Sequence, residues 1–181
     1  SLGETTDIVK PDGPMRVYQA ADRPTGRLGS KEPHGARGHM ILPDPSGQYV
    51  LGADAGRDQI FVWKLDTATG KLKQVSVMKT APGVGPRHFV FSPDGKTLYQ
   101  QGEQNSRLIT YSFADGKLTQ KGPSISTLPA GFQGGNTTSE LLIDKAGKHL
   151  YGANRNHDSI ATMTVGADGV VKLTANTHTE G

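Results

Sequence analysis

PRHFVFSPDGKTLYQQGE, residues 86–103, decides the fold. Apolar side chains alternate at Phe89 and Phe91, Ser-Pro-Asp-Gly follows, and a second apolar run, Leu98-Tyr99, leads away from it. This pattern predicts a β-hairpin turned at Asp94-Gly95, since glycine reaches the positive φ of a tight turn without steric cost. Polar residues gather at the open end of the hairpin. With Gly95 as the reference point, the residue eight before it returns beside the residue eight after it, which sets Arg87 against Glu103. In an isolated hairpin such a pair reads as a cross-strand ion pair. This hairpin, however, occurs three times.

The repeats align on turn glycines Gly47, Gly95 and Gly147, spaced 48 and 52 residues apart. Each reads as four short strands. One runs into the glycine turn and one out of it. A third alternates strongly, over residues 60–65, 108–113 and 160–165, and a fourth follows Thr69-Gly70, Asp115-Gly116 or Asp168-Gly169. A four-stranded unit of about 50 residues, repeated, predicts an all-β protein built of β-propeller blades. A sandwich predicts no such register, and a helical solenoid predicts no strands. Trp63, Tyr111 and Met163 take matching places in the third strands and are expected between blades as core. The chain is read as a single partial propeller domain, residues 1–181. Blades cover residues 39–86, 87–138 and 139–181, and residues 1–38 hold the last strand of a preceding blade, near residues 5–9, and a connecting loop. Three blades and a strand do not close a ring, so an incomplete ring with open blade faces, prone to self-association, is expected. The loop, residues 23–38, carries Arg27, Lys31, His34 and Arg37, which would border an anion site but read more simply as solvated.

Composition narrows the function classes. The chain has 181 residues, 34% hydrophobic and 20% charged, with 24 Gly and 11 Pro, so turns are frequent and long helices are not expected. Cysteine is absent, which removes disulfides, thiolate metal sites and a cysteine nucleophile, and leaves the compartment open. The formal charge is +3, but Lys and Arg are scattered without stacking aromatics, which argues against nucleic acid as a partner. No apolar run is long enough to span a membrane as a helix. Metal signatures, phosphate-binding glycine loops and a nucleophile elbow around Ser92 or Ser139 are missing, so no cofactor and no metal are expected.

Counting eight back from the turn glycines gives His39, Arg87 and Ser139, and seven back gives Met40, His88 and Glu140. Eight forward gives Ala55, Glu103 and Arg155, and seven forward gives Asp54, Gly102 and Asn154. All lie at one end of the hairpins, so His39, Arg87, Glu103, Glu140 and Arg155 converge on one basin near the central channel. Residues serving only blade architecture would repeat as the glycines do. These differ, which points to a site. Guanidinium groups bind carboxylate or phosphate by paired hydrogen bonds and stabilise an oxyanion, while a carboxylate and an imidazole move protons. Asp58, on an outward turn before a third strand, is expected to be functionally silent.

HMILPDPSG (residues 39–47), GPRHFVFSPDGKTLY (residues 85–99) with Glu103, GFQGGNTTSE (residues 131–140) and YGANRNHDSI (residues 151–160) together resemble the seven-bladed propeller lactonases. That family includes propeller-type 6-phosphogluconolactonases and fungal carboxymuconate cyclases. The resemblance covers nearly the whole chain, and the spaced set GPRH, GxNTxxE and NRxHDSI is far more specific than a blade repeat. It implies further blades, because members are roughly twice this length, and a cytoplasmic location, with a periplasmic or secreted one left open. Carried over by motif, the catalytic residues would be His39, Arg87, Glu103 and Arg155, with His88, Glu140, Asn154 and His157 contacting the substrate. Two places depart from the family. Arg37-Gly38-His39 stands where members often have Pro-His-x-His, and Gly102-Glu103 where they have Asn-Glu. The resemblance implies a lactonase acting on a sugar lactone, 6-phosphogluconolactone foremost, or a muconate-type cyclase. The partner is then a small anionic lactone or carboxylate. Arg87 and Arg155 would bind the substrate, Glu103 would act as base and His39 as proton relay. A non-enzymatic binding scaffold is the other class, one that would need no such basin.

Overall fold

The computed structural model describes residues 35–180. The strand expected near residues 5–9, and Arg27, Lys31 and His34, lie outside the described residues. Within them the chain is all β, without helix. The first sheet is β1 (Gly38–Pro43), β2 (Tyr49–Asp54), β3 (Gln59–Asp66) and β4 (Lys71–Lys79), antiparallel in chain order. The second is β5 (Pro86–Phe91), β6 (Thr97–Gly102), β7 (Arg107–Ala114) and β8 (Lys117–Gln120), with the short β9 (Ile125–Ser126) also pairing β7. The third is β10 (Thr138–Ile143), β11 (His149–Asn154), β12 (Ser159–Val165) and β13 (Val171–His178). Strand β5 packs beside both β1 and β10, so the first strands of the sheets lie together and the later strands lead outward, as in successive propeller blades.

The turn chemistry does what the sequence asks of it. Gly47, Gly95 and Gly147 share a left-handed φ of 69°, 71° and 68°. The residue three earlier closes each loop with its side chain. Asp44 Oδ1 accepts from the Tyr49 N–H at 2.8 Å, Ser92 Oγ from the Thr97 N–H at 3.0 Å, and Asp144 Oδ1 from the Lys148 N–H at 2.7 Å. Alternation along the strands then sends apolar residues to both sheet faces. Phe89, Phe91 and Leu98 join Leu51, Ile60 and Val62 in a core between the first two blades. Tyr99 and Leu108 join Leu141, Leu150 and Ala161 between the second and third. Burial of one such side chain contributes about 1.5–3 kcal/mol. Trp63, Tyr111 and Met163 pair with Val50, Leu98 and Leu150 at the same register and are all buried. Tyr99 is 3% exposed, whereas its counterpart Tyr151, on the outward face of the third blade beside Leu142, is 38% exposed.

The hairpin register differs from the simple count. Phe91 pairs with Leu98 and His88 with Gln101, so the hairpin is centred between Asp94 and Gly95 rather than on Gly95. Pro86 then pairs with Gly102, the ladder shifting at Arg87, and the Glu103 N–H bonds to the Gly85 carbonyl at 2.9 Å. Arg87 is therefore not opposite Glu103 on the backbone. The same irregularity falls between Gly38 and Met40, at His39, and between Thr138 and Leu141, at Ser139-Glu140. A bulge bends its strand and re-aims the side chain it carries, and here all three blades place one at the same end.

Candidate active site

Each bulge works with a backbone bond that ties the approach segment to the end of the second strand. The N–H groups of Ala55, Glu103 and Arg155 donate to the carbonyls of Arg37, Gly85 and Thr137, each at 2.9 Å. The acceptors stand ten residues before their turn glycines, so position ten back belongs to this end of the blade as much as positions seven and eight.

Glu103 is the centre of the cluster and is 4% exposed. Arg37 Nη2 donates to its Oε2 at 2.6 Å, from the first blade's approach segment. Arg155 Nη1, from the third blade, donates to Oε1 at 3.2 Å. Arg87 Nε lies 4.0 Å from the same Oε1, beyond hydrogen-bond distance. Three blades thus contribute three guanidinium groups around one carboxylate. The Glu103 carbonyl accepts from the Thr138 N–H at 3.1 Å, and Thr138 Oγ1 donates to the Gly102 carbonyl at 3.1 Å, so the segment carrying Glu103 is held rigidly. Arg87 donates from Nη1 to the Ser139 carbonyl, and its Nη1 sits 3.3 Å from His88 Nε2 and 3.4 Å from Nδ1. Burial, and then the charge of Arg155, lower the Arg87 pKa, while Glu103 opposes the change.

Two histidines flank the arginines. His39 and His88 meet edge to face with ring centroids 5.2 Å apart. Burial, followed by the positive charge of Arg87, lowers the His39 pKa, so the ring is a neutral base at neutral pH. His88 Nδ1 contacts Glu140 Oε1 at 2.7 Å, and the same oxygen accepts from the Leu141 N–H at 2.9 Å. Burial pushes the Glu140 pKa up, but the Leu141 N–H and His88 outweigh it and the net direction is down. Among the described residues, Arg37 Nε, Arg87 Nε and His39 Nδ1 are buried without a hydrogen-bond partner. A buried polar nitrogen left unpaired costs about 1–3 kcal/mol, and three of them border one basin.

Six of the eight residues expected at the site are brought together: His39, Arg87, His88, Glu103, Glu140 and Arg155. Asn154 and His157 are placed elsewhere. Asn154 is 2% exposed and spends its amide in the interior, accepting from Thr127 Oγ1 at 2.8 Å and Asn136 Nδ2 at 3.1 Å and donating to the Thr127 carbonyl at 2.9 Å. Its counterpart Asp54 caps its own turn, accepting from the N–H groups of Gly56 and Arg57 at 3.0 Å each. Position seven forward is therefore architectural in both blades. His157 bonds Ser159 Oγ at 2.7 Å and packs between the rings of Phe132 and His178, bordering a separate cleft of about 420 Å³ with Pro129 and Asn176. Asp58 is not the idle turn residue expected. Its carboxylate accepts from the N–H groups of Gly83 at 2.8 Å and Gly85 at 2.6 Å, fixing the approach to Arg87.

Two contributors escaped the residue counts. Arg37 reads from sequence as part of a solvated loop, yet extending the count to ten back from Gly47 would have found it. Asn136, inside GFQGGNTTSE, accepts from the N–H groups of Asn156 and His157 at 3.1 Å each and so shapes the turn that launches Arg155. No group of three metal-ligating side chains occurs among the described residues.

A basin of guanidinium groups, one carboxylate and a neutral imidazole suits anion binding, carbonyl polarisation and proton transfer. An uncharacterised protein of Lactococcus lactis is 33% identical over 182 residues, covering 93% of this chain and 52% of that protein. The 6-phosphogluconolactonase of Bacillus subtilis is 28% identical over 176 residues, covering 96% of this chain and 50% of that one. The structure of a periplasmic gluconolactonase from Pseudomonas aeruginosa superposes with a TM-score of 0.76 at 28% identity, over 84% of this chain and 45% of that one. The chain thus spans about half the length of these relatives. Residues 6–181 match the family described as "Lactonase, 7-bladed beta-propeller". Three consecutive blades, a polar basin at one end and a match over nearly all its length establish that the chain belongs to the seven-bladed β-propeller lactonase family.

Proposed function

We propose that this chain carries the catalytic sector of a lactone hydrolase whose substrate is an anionic sugar lactone, with 6-phosphogluconolactone the leading candidate. The observation that carries this reading is the meeting of Arg37, Arg87 and Arg155 around Glu103, beside the neutral His39. Arg87 is the best placed to polarise the lactone carbonyl, since its guanidinium is fixed to the Ser139 carbonyl and its charge acts on the neighbouring His39. His39 takes a proton from water as the water oxygen bonds to the carbonyl carbon. The ring C–O bond then breaks, and the departing oxygen recovers the proton from the imidazolium. Glu103, expected from sequence as the base, has both oxygens engaged by arginines, so its role here is to hold those arginines in position.

Muconate-type cyclisation remains the second enzymatic reading, because the same guanidinium groups match a dicarboxylate. The test is a panel assay on the full-length protein. Opening of 6-phosphogluconolactone and glucono-δ-lactone is followed by pH-stat against the spontaneous rate, and loss of cis,cis-muconate absorbance is followed in parallel. Hydrolysis well above background, fastest for the phosphorylated lactone, is expected. Turnover of muconate alone transfers the site to the cyclase reading, and no turnover of any substrate leaves a binding scaffold.

A further inference from the structure

We propose that Arg37 is a specificity-determining residue of this site: with Arg155 it forms a guanidinium fork across Glu103 that receives a second anionic group of the substrate, a phosphate or carboxylate remote from the reacting carbonyl. The identity of the reacting group rests on the lactonase reading. The anion fork does not.

Arg37 is launched from a fixed point. Its N–H donates to Asp54 Oδ1 at 2.8 Å, and its carbonyl accepts from the Ala55 N–H at 2.9 Å. Gly56 allows this close approach, since a Cβ there would lie 3.0 Å from the Arg37 Cβ and far inside contact distance of the Gly35 carbonyl. The architecture needs only that backbone. At the same position the second and third blades have Gly85 and Thr137, whose carbonyls make the same bond. The guanidinium is therefore surplus to blade construction, and a long charged side chain ordered without structural need calls for another use.

The direction of the side chain supplies that use. It crosses from the first blade to Glu103 of the second, where it meets Arg155 coming from the third. One carboxylate neutralises one of three guanidinium groups, which leaves two positive charges at the cluster. Glu140, bonded to His88, offsets at most one of them. Arg37 and Arg155 keep 38% and 44% of their side chains exposed, so both retain donors for a ligand. Two forked cations held apart by a buried carboxylate match a phosphate or carboxylate by paired hydrogen bonds. Arg87, only 12% exposed, is then left to the carbonyl.

The test measures binding and does not depend on turnover. The full-length protein is titrated calorimetrically with 6-phosphogluconate and with gluconate, in wild type, Arg37→Ala, Arg37→Lys and Arg57→Ala. Arg57 is a neighbouring half-exposed arginine paired loosely with Asp54, so its removal changes net charge equally without touching Glu103. Arg37→Ala is expected to weaken 6-phosphogluconate at least tenfold and gluconate much less. Arg37→Lys should recover part of the difference because it keeps charge but loses the fork, and Arg57→Ala should bind both as wild type does. Equal loss for both probes in Arg37→Lys, with its melting temperature unchanged, overturns the assignment, as does unchanged 6-phosphogluconate affinity in Arg37→Ala. A wild type that binds neither probe overturns it too. Selective binding without any lactone hydrolysis would sink the lactonase reading and leave the fork standing.

Discussion

Arg155 donates from Nη1 to Glu103 Oε1 at 3.2 Å, tying the third blade to the second across 52 residues of sequence. The bond joins equivalent positions of successive repeats, each eight residues past its turn glycine. A repeat that served packing alone would not put opposite charges at one position in adjacent blades. The contact converts three similar hairpin ends into one asymmetric basin.

Glu103→Gln separates the two roles open to this carboxylate. Glutamine keeps the shape and one accepting oxygen but leaves three guanidinium groups without a counter-charge. Breaking a buried pair typically costs about 3–5 kcal/mol, and the half-exposed arginines reduce this to about 1–3 kcal/mol. We expect lower melting temperature, raised KM and lowered kcat together. A variant that loses only kcat, with KM and stability intact, would restore Glu103 as the base.

His39 should set the acid limb of the rate profile. Its neutral form is the working base, and burial together with Arg87 lowers its pKa. Activity is then fully present at neutral pH and lost as pH falls through a value below the ordinary 6.5. His39→Gln should remove that limb and slow kcat by about two to four orders of magnitude. A limb centred above 6.5, or one that survives in His39→Gln, contradicts the assignment.

Asn154→Ala should act on stability and leave binding alone. The substitution removes three interior hydrogen bonds, to the Thr127 carbonyl and hydroxyl and the Asn136 amide, although each of those groups keeps a second partner, so a loss of about 1–2 kcal/mol is expected. Urea unfolding should show it, with KM nearly unchanged. A raised KM at wild-type stability would return Asn154 to the substrate.

Asp58→Asn should be felt although the residue lies outside the basin. Asparagine tolerates the φ of 55° at this position but cannot offer two charged acceptors to Gly83 and Gly85. A loss of about 1–2 kcal/mol is expected. Lys145→Ala, in an exposed turn, serves as the silent control. Equal unfolding midpoints for the two variants would show that the loop ahead of Arg87 is held by other means.

The parts of this structure legible in the sequence are those governed by local chemistry. Turn glycines recurring about every 50 residues, with Asp44, Ser92 and Asp144 ahead of them, specify hairpins, and alternation in the third strands specifies sheet faces. The convergence of polar side chains was legible because all three repeats carry their irregularity at one end. The count from Gly95 was half a residue off centre, yet the two residues it paired, Arg87 and Glu103, lie within 4.0 Å of each other, with the ladder shifting at Arg87. Arg37 and Asp58 were not legible. Arg37 stands at a position, ten before its turn glycine, that a count of seven and eight leaves out, and Asp58 acts through contacts to an irregular segment that no periodicity records. Asn154 misled for a related reason. Its position resembles a site position by count, but its side chain turns inward to Thr127, a residue separated from it by 27 in sequence.

The most direct measurement of the central claim is kcat/KM for 6-phosphogluconolactone hydrolysis by the full-length protein and by its Arg87→Ala and Arg155→Ala variants, followed by pH-stat and corrected for spontaneous opening. Removing one member of a hydrogen-bonded, partly buried charge cluster commonly costs about 2–5 kcal/mol. Each variant is therefore expected to lose at least about thirtyfold in kcat/KM, with Arg87→Ala falling mainly in kcat and Arg155→Ala mainly through KM. Wild-type kcat/KM in both variants would contradict the assignment of this basin as the catalytic site.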